Sequence, residues 1–468
     1  MIEYSRVKKI HFVGIGGSGM SGIAEVLHNM GFVISGSDIS ESGVVKRLKA
    51  VGVHVVLGHR KENVAGIETV VYSSAVKKDN VEVKAALEMG IPVIRRAEML
   101  AELMRLKFAV AVAGTHGKTS TTSMIAAIFD RAGLDPTYVV GGKLKTGESG
   151  AKLGKSDYLI AEADESDGSF LRLFPTLAII TNIEDDHLDY YRTMGNLEKA
   201  FVTFGNMVPF YGSVILDIDC ERCRSLLPSI NKRVITYSLS AAAPPEISSG
   251  IHIWAENVET TAFETSFELH VTGETPVAMK LNVGGRHNVS NALAAIAVSR
   301  EVGIDLASIK EGLAHFALPE RRFQVLFYND DYVVLDDYAH HPTEIEATLK
   351  TLKSGDFKRI IAVFQPHRYT RLEILMDKFA SSFSLADKLI IAEIYKANQA
   401  EIEDVNSRRL CEMVKQKGVD DAMYIEDFSG IIDYLRQEIK KGDAVVFLTA
   451  GNLTRTAHRF ARLLSKGG

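Results

Sequence analysis

Residues 114–119 read Gly-Thr-His-Gly-Lys-Thr. They follow the apolar run Phe108-Ala109-Val110-Ala111-Val112-Ala113 and precede a segment with Met124, Ile125, Ile128 and Phe129 on one helical face. Strand, glycine turn and helix start in that order commit the stretch to an α/β layer and make a phosphate cradle. Backbone N–H groups aim at phosphate oxygens, and the helix end adds partial positive charge. Lys118 supplies a full charge, and Thr119 can place a hydroxyl on Mg²⁺. The loop departs from GxxxxGK[ST], which would require glycine where Val112 stands. Its first glycine is Gly114, so it is shorter. The flanking strand and helix are still those of a triphosphate site.

A second glycine turn opens the chain. The strand Ile10-His11-Phe12-Val13 runs into Gly14-Ile15-Gly16-Gly17-Ser18-Gly19, followed by Met20, Ile23, Ala24, Leu27 and Met30 at helical spacing, with Gly31 placed to cap that helix. Further strands end in Gly36-Ser37-Asp38 and in Ser73-Ser74-Ala75. Alternating strands and helices of this kind form a parallel sheet with crossover connections. The turn fits GxGxxG at Gly14, Gly16 and Gly19, with Asp38 in the neighbourhood of a ribose. Any ligand with a pyrophosphate fits it, so NAD and a uridine-diphosphate sugar both remain open.

Two more strands, Tyr158-Leu159-Ile160-Ala161 and Leu177-Ala178-Ile179-Ile180, end in polar clusters holding Glu162, Asp164, Glu165 and Asp167, and Asn182, Glu184, Asp185, Asp186 and His187. Open parallel sheets gather ligands at the carboxyl ends of their strands. A carboxylate there, with Thr119 and phosphate oxygens, suits Mg²⁺. From about 231 to 283 short alternating stretches predict an antiparallel β addition. Past Leu318-Pro319-Glu320, one strand end carries Asp336-Asp337-Tyr338-Ala339-His340-His341-Pro342, and the next carries Gln365-Pro366-His367-Arg368-Tyr369-Thr370-Arg371. Clustered His and Arg make an anion and carboxylate site, because Arg binds carboxylates in a two-pronged way.

At 468 residues the chain is too long for one ordinary core, and about three domains are expected. The net charge of −5 gives no general attraction to nucleic acid or to an anionic membrane. No segment approaches the ~20 apolar residues that span a bilayer, and the first residues, Met1-Ile2-Glu3-Tyr4-Ser5-Arg6, run straight into a strand without a signal peptide. Three cysteines point to a reducing compartment, so a cytoplasmic location is expected. Cys220 and Cys223 form a lone CxxC without the second pair a zinc site needs, and read as two small residues on a helix.

Taken together, the motifs resemble the Mur ligases, the ATP-dependent amide ligases of peptidoglycan precursor synthesis. The supporting strings are HFVGIGGSGMSG (11–22), GTHGKTSTT (114–122), EADESDGSF (162–170), TNIEDDHLDYY (181–191), GRHNVSNALAA (285–295), RRF (321–323), DDYAHHPTEI (336–345) and FQPHRYTR (364–371). They run in order over essentially the whole chain. The resemblance implies three α/β domains: a Rossmann-like UDP-substrate domain (1–106), a central P-loop ATPase-like domain with the antiparallel addition (107–317), and a Rossmann-like C-terminal domain (318–468).

The resemblance also implies roles. Gly14, Gly16, Gly17, Ser18, Gly19, Met20, Asp38, Ser73, Ser74 and His187 would hold UDP-N-acetylmuramate. Gly114, Thr115, His116, Gly117, Lys118, Thr119, Ser120, Asn288, Arg322 and Asp337 would hold ATP. Thr119, Glu162 and His187 would bind Mg²⁺, with Glu165 as a further candidate and Mn²⁺ as a substitute. His340, His341, His367 and Arg368 would line the amino-acid side, and Lys118, His341, Arg368 and Arg371 would be catalytic. The implied reaction joins L-alanine to the lactyl carboxylate through an acyl phosphate, giving ADP and phosphate. Negative charge on phosphoryl oxygens and oxyanion would be offset by Lys118, Mg²⁺ and nearby Arg or His.

Two departures qualify the pattern. Lys199 stands roughly where some relatives carry a carbamylated lysine, but Glu198 fits that place equally. Thr449-Ala450-Gly451-Asn452 stands in place of Gly-Ala-Gly-Asp. The rival readings are a ligase that attaches a preformed peptide to UDP-N-acetylmuramate, an NAD-dependent dehydrogenase, and an ATP-driven binding module. The dehydrogenase leaves Lys118 and Thr119 without a purpose, and HRYTR at 367–371 favours a single amino acid as acceptor.

Overall fold

The computed structural model describes residues 7–73, 75–77, 79–141, 150–240, 250–397 and 399–466. The chain has mixed α/β architecture in three domains built on parallel-rich sheets, and divides into two compact units. One comprises Met1–Trp254, His270–Thr275 and Ser290–Leu313; the other comprises Ala255–Leu269, Pro276–Val289 and Ala314–Gly468.

The first unit holds two sheets. In the N-terminal one the strand order is His54–Leu57, Val33–Asp38, Lys9–Val13, Thr69–Tyr72 and Val93–Arg95, all parallel. The chain begins in the middle, winds one way, then returns to the other side of Lys9–Val13. That reversal opens a crevice beyond the ends of Lys9–Val13 and Thr69–Tyr72, the place where such sheets bind ligands. Buried Ile10, Phe12, Val70 and Val71 form the continuous apolar runs of a sheet covered on both faces. The helix Ser18–Asn29 buries Ile23, Ala24, Val26 and Leu27, and Gly31 at φ +94° ends it, as its position predicts.

The second sheet places Phe108–Ala113 between Leu177–Ile180 and Tyr158–Glu162, all parallel. Ala113 pairs with Ile180 and Val112 with Glu162, so the glycine loop leaves the sheet flanked by both polar clusters. Beyond Leu177–Ile180 come Ser213–Asp217, Arg233–Ser238 and the start of Ile251–Thr260. Here the antiparallel expectation begins too early, because these strands pair parallel. The short helix Glu221–Ser225 supplies the crossover before Arg233–Ser238, with Cys220 as its N-cap and Cys223 within it, in line with the helix the sequence places there. An aromatic cluster supports the sheet: Phe170 lies 5.1 Å from Phe204 and 5.3 Å from Phe201, centroid to centroid.

In the second unit, residues of Thr265–Val271 pair antiparallel with Val277–Leu281, with Thr265 opposite Leu281. This is the expected antiparallel addition. A six-stranded sheet follows in the order Gln324–Tyr328, Tyr332–Asp337, Asp443–Leu448, Arg359–Phe364, Lys388–Ile391 and Ala422–Tyr424; its first pair is antiparallel and the rest parallel. Asp443–Leu448 sits between Tyr332–Asp337 and Arg359–Phe364, which brings the ends at Asp337, Gln365 and Thr449 together. Among the described residues no helix is long and apolar enough to cross a membrane.

Phe170 is fully buried beneath the acidic loop. Phe170→Ala is expected to destabilise the first unit by about 3–5 kcal/mol, measured as a shift in its guanidinium unfolding transition.

Candidate active site

The glycine loop is held by geometry that no other residue type satisfies. Gly114 and Gly117 lie at φ +129° and +84°. A Cβ at residue 114 would collide with Thr181 Oγ1, and one at residue 117 with Asn291 Oδ1. The neighbouring strand end staples the loop. Thr115 N donates to Asn182 O (3.1 Å) and His116 N to Asn182 Oδ1 (2.8 Å), while Thr181 Oγ1 and Asn182 Nδ2 donate to His116 O. Glu184 N donates to Thr115 Oγ1 at 2.9 Å. Thr119 and Ser120 lie buried in the first turn of Lys118–Arg131.

Lys118 Nζ donates to Gly114 O (2.5 Å), Thr115 O (3.1 Å) and Glu165 Oε1 (2.9 Å). These three bonds use all three ammonium donors, so an incoming phosphate must take over one of them. Burial lowers the Lys118 pKa, but Glu165 and Asp164 outweigh it and hold the ammonium above its ordinary value. Burial pushes the Glu165 carboxyl up to about 7 against the pull of Lys118. His187 Nε2 lies 3.6 Å from Glu165 Oε1, on a residue at φ +58°. Glu165 is thus the carboxylate brought to Lys118 and His187, whereas Glu162 Oε1 accepts from Gly141 N at 2.8 Å. Glu165 and His187 lie side by side at the strand ends that flank the loop. Lys199 is exposed, and Glu198 pairs with Arg222 at 3.0 Å. Cys220 and Cys223 are free thiols. Cys220 is the N-cap of its helix, where a bond from Cys223 draws its pKa down to about 6 despite burial. Among the described residues neither cysteine joins a group of three metal-ligating side chains.

At the first sheet, Gly16 N donates to Asp38 Oδ2 at 2.8 Å, so Asp38 braces the turn itself. Gly17 is the N-cap of Ser18–Asn29. Met20 is buried in the core, and its N–H donates to Gly17 O. Ser73 Oγ accepts from Ala75 N, and Ser74 lies outside the described residues. A hub invisible in the sequence joins this edge. Glu82, fully buried, accepts from Ser37 Oγ (2.5 Å), His59 Nδ1 (3.0 Å), Asn63 Nδ2 (2.5 Å) and Arg60 N (3.3 Å). Burial pushes its carboxyl up, but bonds from His11, Ser37 and Asn63 prevail and draw it down to about 2.

In the second unit, Arg322 Nη1 faces Glu344 Oε1 at 3.7 Å and lies over the Tyr338 ring. His340 Nδ1 is 2.8 Å from Tyr338 O and 3.1 Å from Glu344 Oε2. Its ring meets that of His367 edge-on at 5.7 Å, and His367 Nδ1 lies 3.3 Å from Arg371 Nη1. His341 is the buried N-cap of Pro342–Lys353, and Arg368, at φ +71°, caps Tyr369–Ser381. His340, His367, Arg368 and Arg371 therefore share one sheet edge. Asp337 is committed to structure: its oxygens accept from Phe323 N (2.9 Å), Ala339 N (2.8 Å) and Thr348 Oγ1 (3.3 Å), and burial raises it to about 6. Asn288 is buried and donates to Gly284 O at 2.8 Å. Neighbouring His287 is pushed down to about 4 by burial and Arg322.

Two glycine turns on two parallel sheets, one with a partly buried, fully bonded lysine, mark an α/β protein built to handle phosphates. Three family models match in chain order: "Mur ligase family, catalytic domain" over residues 9–108, "Mur ligase middle domain" over 112–299 and "Mur ligase, glutamate ligase domain" over 321–451. The chain belongs to the Mur ligase family. It is 47% identical, over 99% of its length and 98% of the relative's, to UDP-N-acetylmuramate–L-alanine ligase of Syntrophobacter fumaroxidans. It is 45% identical, over 99% of each chain, to the ligase of the same name from Geobacter sulfurreducens. Its structure is similar to that of UDP-N-acetylmuramate-alanine ligase from Thermotoga maritima, at TM-score 0.82 and 28% identity over 98% of this chain and 100% of that one. It is also similar to a murein peptide ligase from Psychrobacter arcticus, at TM-score 0.70 and 25% identity over 97% and 98%.

Glu82 generates a pH signature. Its depressed carboxyl contributes stability that is present above about 4.5 and lost as pH falls through about 2. The depression corresponds to about 3 kcal/mol. Glu82→Gln is expected to melt well below wild type at pH 7, with the gap narrowing as pH falls from about 4.5 to 2; melting curves over that range check it.

Proposed function

We infer that this chain is an ATP-dependent amide ligase that joins L-alanine to the lactyl carboxylate of UDP-N-acetylmuramate in peptidoglycan precursor synthesis. The observation that carries the reading is the Lys118 ammonium, held by Glu165 and two loop carbonyls at the end of Phe108–Ala113. Full-length identity to ligases of that name supports the choice of substrates.

The carboxylate takes the γ-phosphoryl group of ATP, giving an acyl phosphate and ADP. The amine of L-alanine attacks the acyl carbon, and the tetrahedral intermediate expels phosphate to leave the amide. Lys118 leaves Glu165 to meet the phosphoryl oxygens in a water-poor loop, where a fixed charge acts strongly. Thr119, Glu162 and His187, with Glu165 as a further candidate, would hold Mg²⁺, which supplies further charge to offset the phosphoryl oxygens. His340, His367, Arg368 and Arg371 form the basic edge for the carboxylate and acyl-phosphate side. The glycine turn at 14–19 takes the uridine-diphosphate half. The reaction is placed in the cytoplasm, where thiols such as Cys220 stay reduced.

Phosphate release should require ATP, UDP-N-acetylmuramate and L-alanine together. Release that ignores either substrate sinks the ligase reading, and turnover with a tripeptide, as a preformed peptide acceptor, but not with L-alanine reverses the choice of amino substrate. Lys118→Ala is expected to lower kcat by at least about 10²–10³-fold and, because Glu165 loses its cation, to lower the melting temperature as well; kinetics below the unfolding transition check the first and melting curves the second.

A further inference from the structure

The turn that is to hold a pyrophosphate carries no cation. Gly14 to Met20 contains no basic residue, and Asp38 brings a carboxylate to Gly16 N. A pyrophosphate diester carries two negative charges, and backbone N–H groups alone offer only partial positive ones. Gly17, the N-cap of Ser18–Asn29, provides no side-chain acceptor for the first N–H groups of that helix.

The missing charge lies across the turn. Arg96, the first residue of the helix Arg96–Met104, lays its guanidinium on Gly19. A Cβ at residue 19 would collide with Nη1 and stand 3.1 Å from Cδ and 3.3 Å from Cζ. Glycine there gives the arginine its seat against the helix start. On its far side, Nη2 reaches Asp164 Oδ2 at 3.5 Å, the outer limit of a hydrogen bond. Asp164 is 43% exposed and its other oxygen accepts from Ser166 N at 3.1 Å, so the carboxylate is anchored without the arginine. A fork of five donors in a stretched pair, beside a helix start and a glycine turn, is arranged to exchange a carboxylate for a better anion.

We propose that Arg96 is a phosphate-binding residue of this turn, clamping the pyrophosphate of the UDP-sugar over Gly19 and giving up Asp164 to do so. The proposal rests on the substrate reading above. It adds a residue that no glycine motif contains and that comes from the edge of the sheet, some 80 positions along the chain.

Calorimetric titration of the full chain with UDP and with uridine, under saturating ADP to occupy the loop at Lys118, tests it. Arg96→Met is expected to weaken UDP about 10- to 100-fold, the loss of a charge-assisted contact, and to leave uridine unchanged. Arg96→Lys should recover part of the loss, and Asp164→Asn, which removes the competing carboxylate, should tighten UDP. Equal UDP affinity in wild type and Arg96→Met overturns the proposal. So does an equal loss for uridine and UDP, which makes the arginine structural, and so does a wild type that binds no UDP. A wild type that binds UDP through Arg96 but forms no amide leaves the anion site standing and overturns the substrate reading alone.

Discussion

A buried carboxylate, Glu165, and the partly buried ammonium of Lys118 must be paired, and the glycine loop of the first unit is arranged around that requirement. Lys118 opens the helix that follows Phe108–Ala113 and the glycine loop, and its three donors are spent on Gly114 O, Thr115 O and Glu165. Removing one partner from such a pair leaves an uncompensated charge, which costs far more than the pair contributes. Glu165 is fixed in turn: its carbonyl accepts from Tyr191 Oη at 2.6 Å, tying the acidic loop to the short helix behind His187. The opposite wall, Thr181 to Glu184, holds the loop backbone. On the proposed function, a phosphate would exchange one partner of Lys118 within a cradle already formed.

The second unit meets a similar demand with strained backbone. Arg321 and Phe323 lie at φ +62° and +44°, conformations that cost on the order of 1–3 kcal/mol each unless the surroundings impose them. Asp337 imposes one by accepting from Phe323 N, and Gln324 the other by accepting from Arg321 N at 2.8 Å. Arg322 is aimed by its two strained neighbours, and its guanidinium lies over Tyr338. Asp337, which the resemblance assigns to ATP, thus also acts on the backbone of this loop.

The parts legible in the sequence are those that local chemistry determines. Apolar runs closed by glycine or acid located most strands and placed the Lys118 loop between Glu162 and Thr181. The resemblance named His340, His367 and Arg371 before the sheet brought them together. What escaped depends on distant partners. Glu82 reads as an ordinary acid in a first helical turn, and becomes a buried hub only when Ser37, His59 and Asn63 converge on it. Glu162 and Glu165 sit three residues apart in one acidic string, and only the course of the loop after the strand decides which one meets Lys118. Arg233–Ser238 and Thr265–Val271 both alternate, yet the first pairs parallel and the second antiparallel, because strand direction is set by the crossover and not by the alternation. Arg96 carried no motif at all.

The order of strands in the C-terminal sheet bears on how the protein is made. Asp443–Leu448 lies between Tyr332–Asp337 and Arg359–Phe364, although it is synthesised about 80 residues after the second of them. During translation those two strands have no central neighbour and expose facing edges, a template for pairing with other chains. The sheet closes only when residue 448 has left the ribosome, so the nascent second unit waits for its last strand with its core open, and a chain cut before that strand would be left with two sticky edges in place of a folded domain.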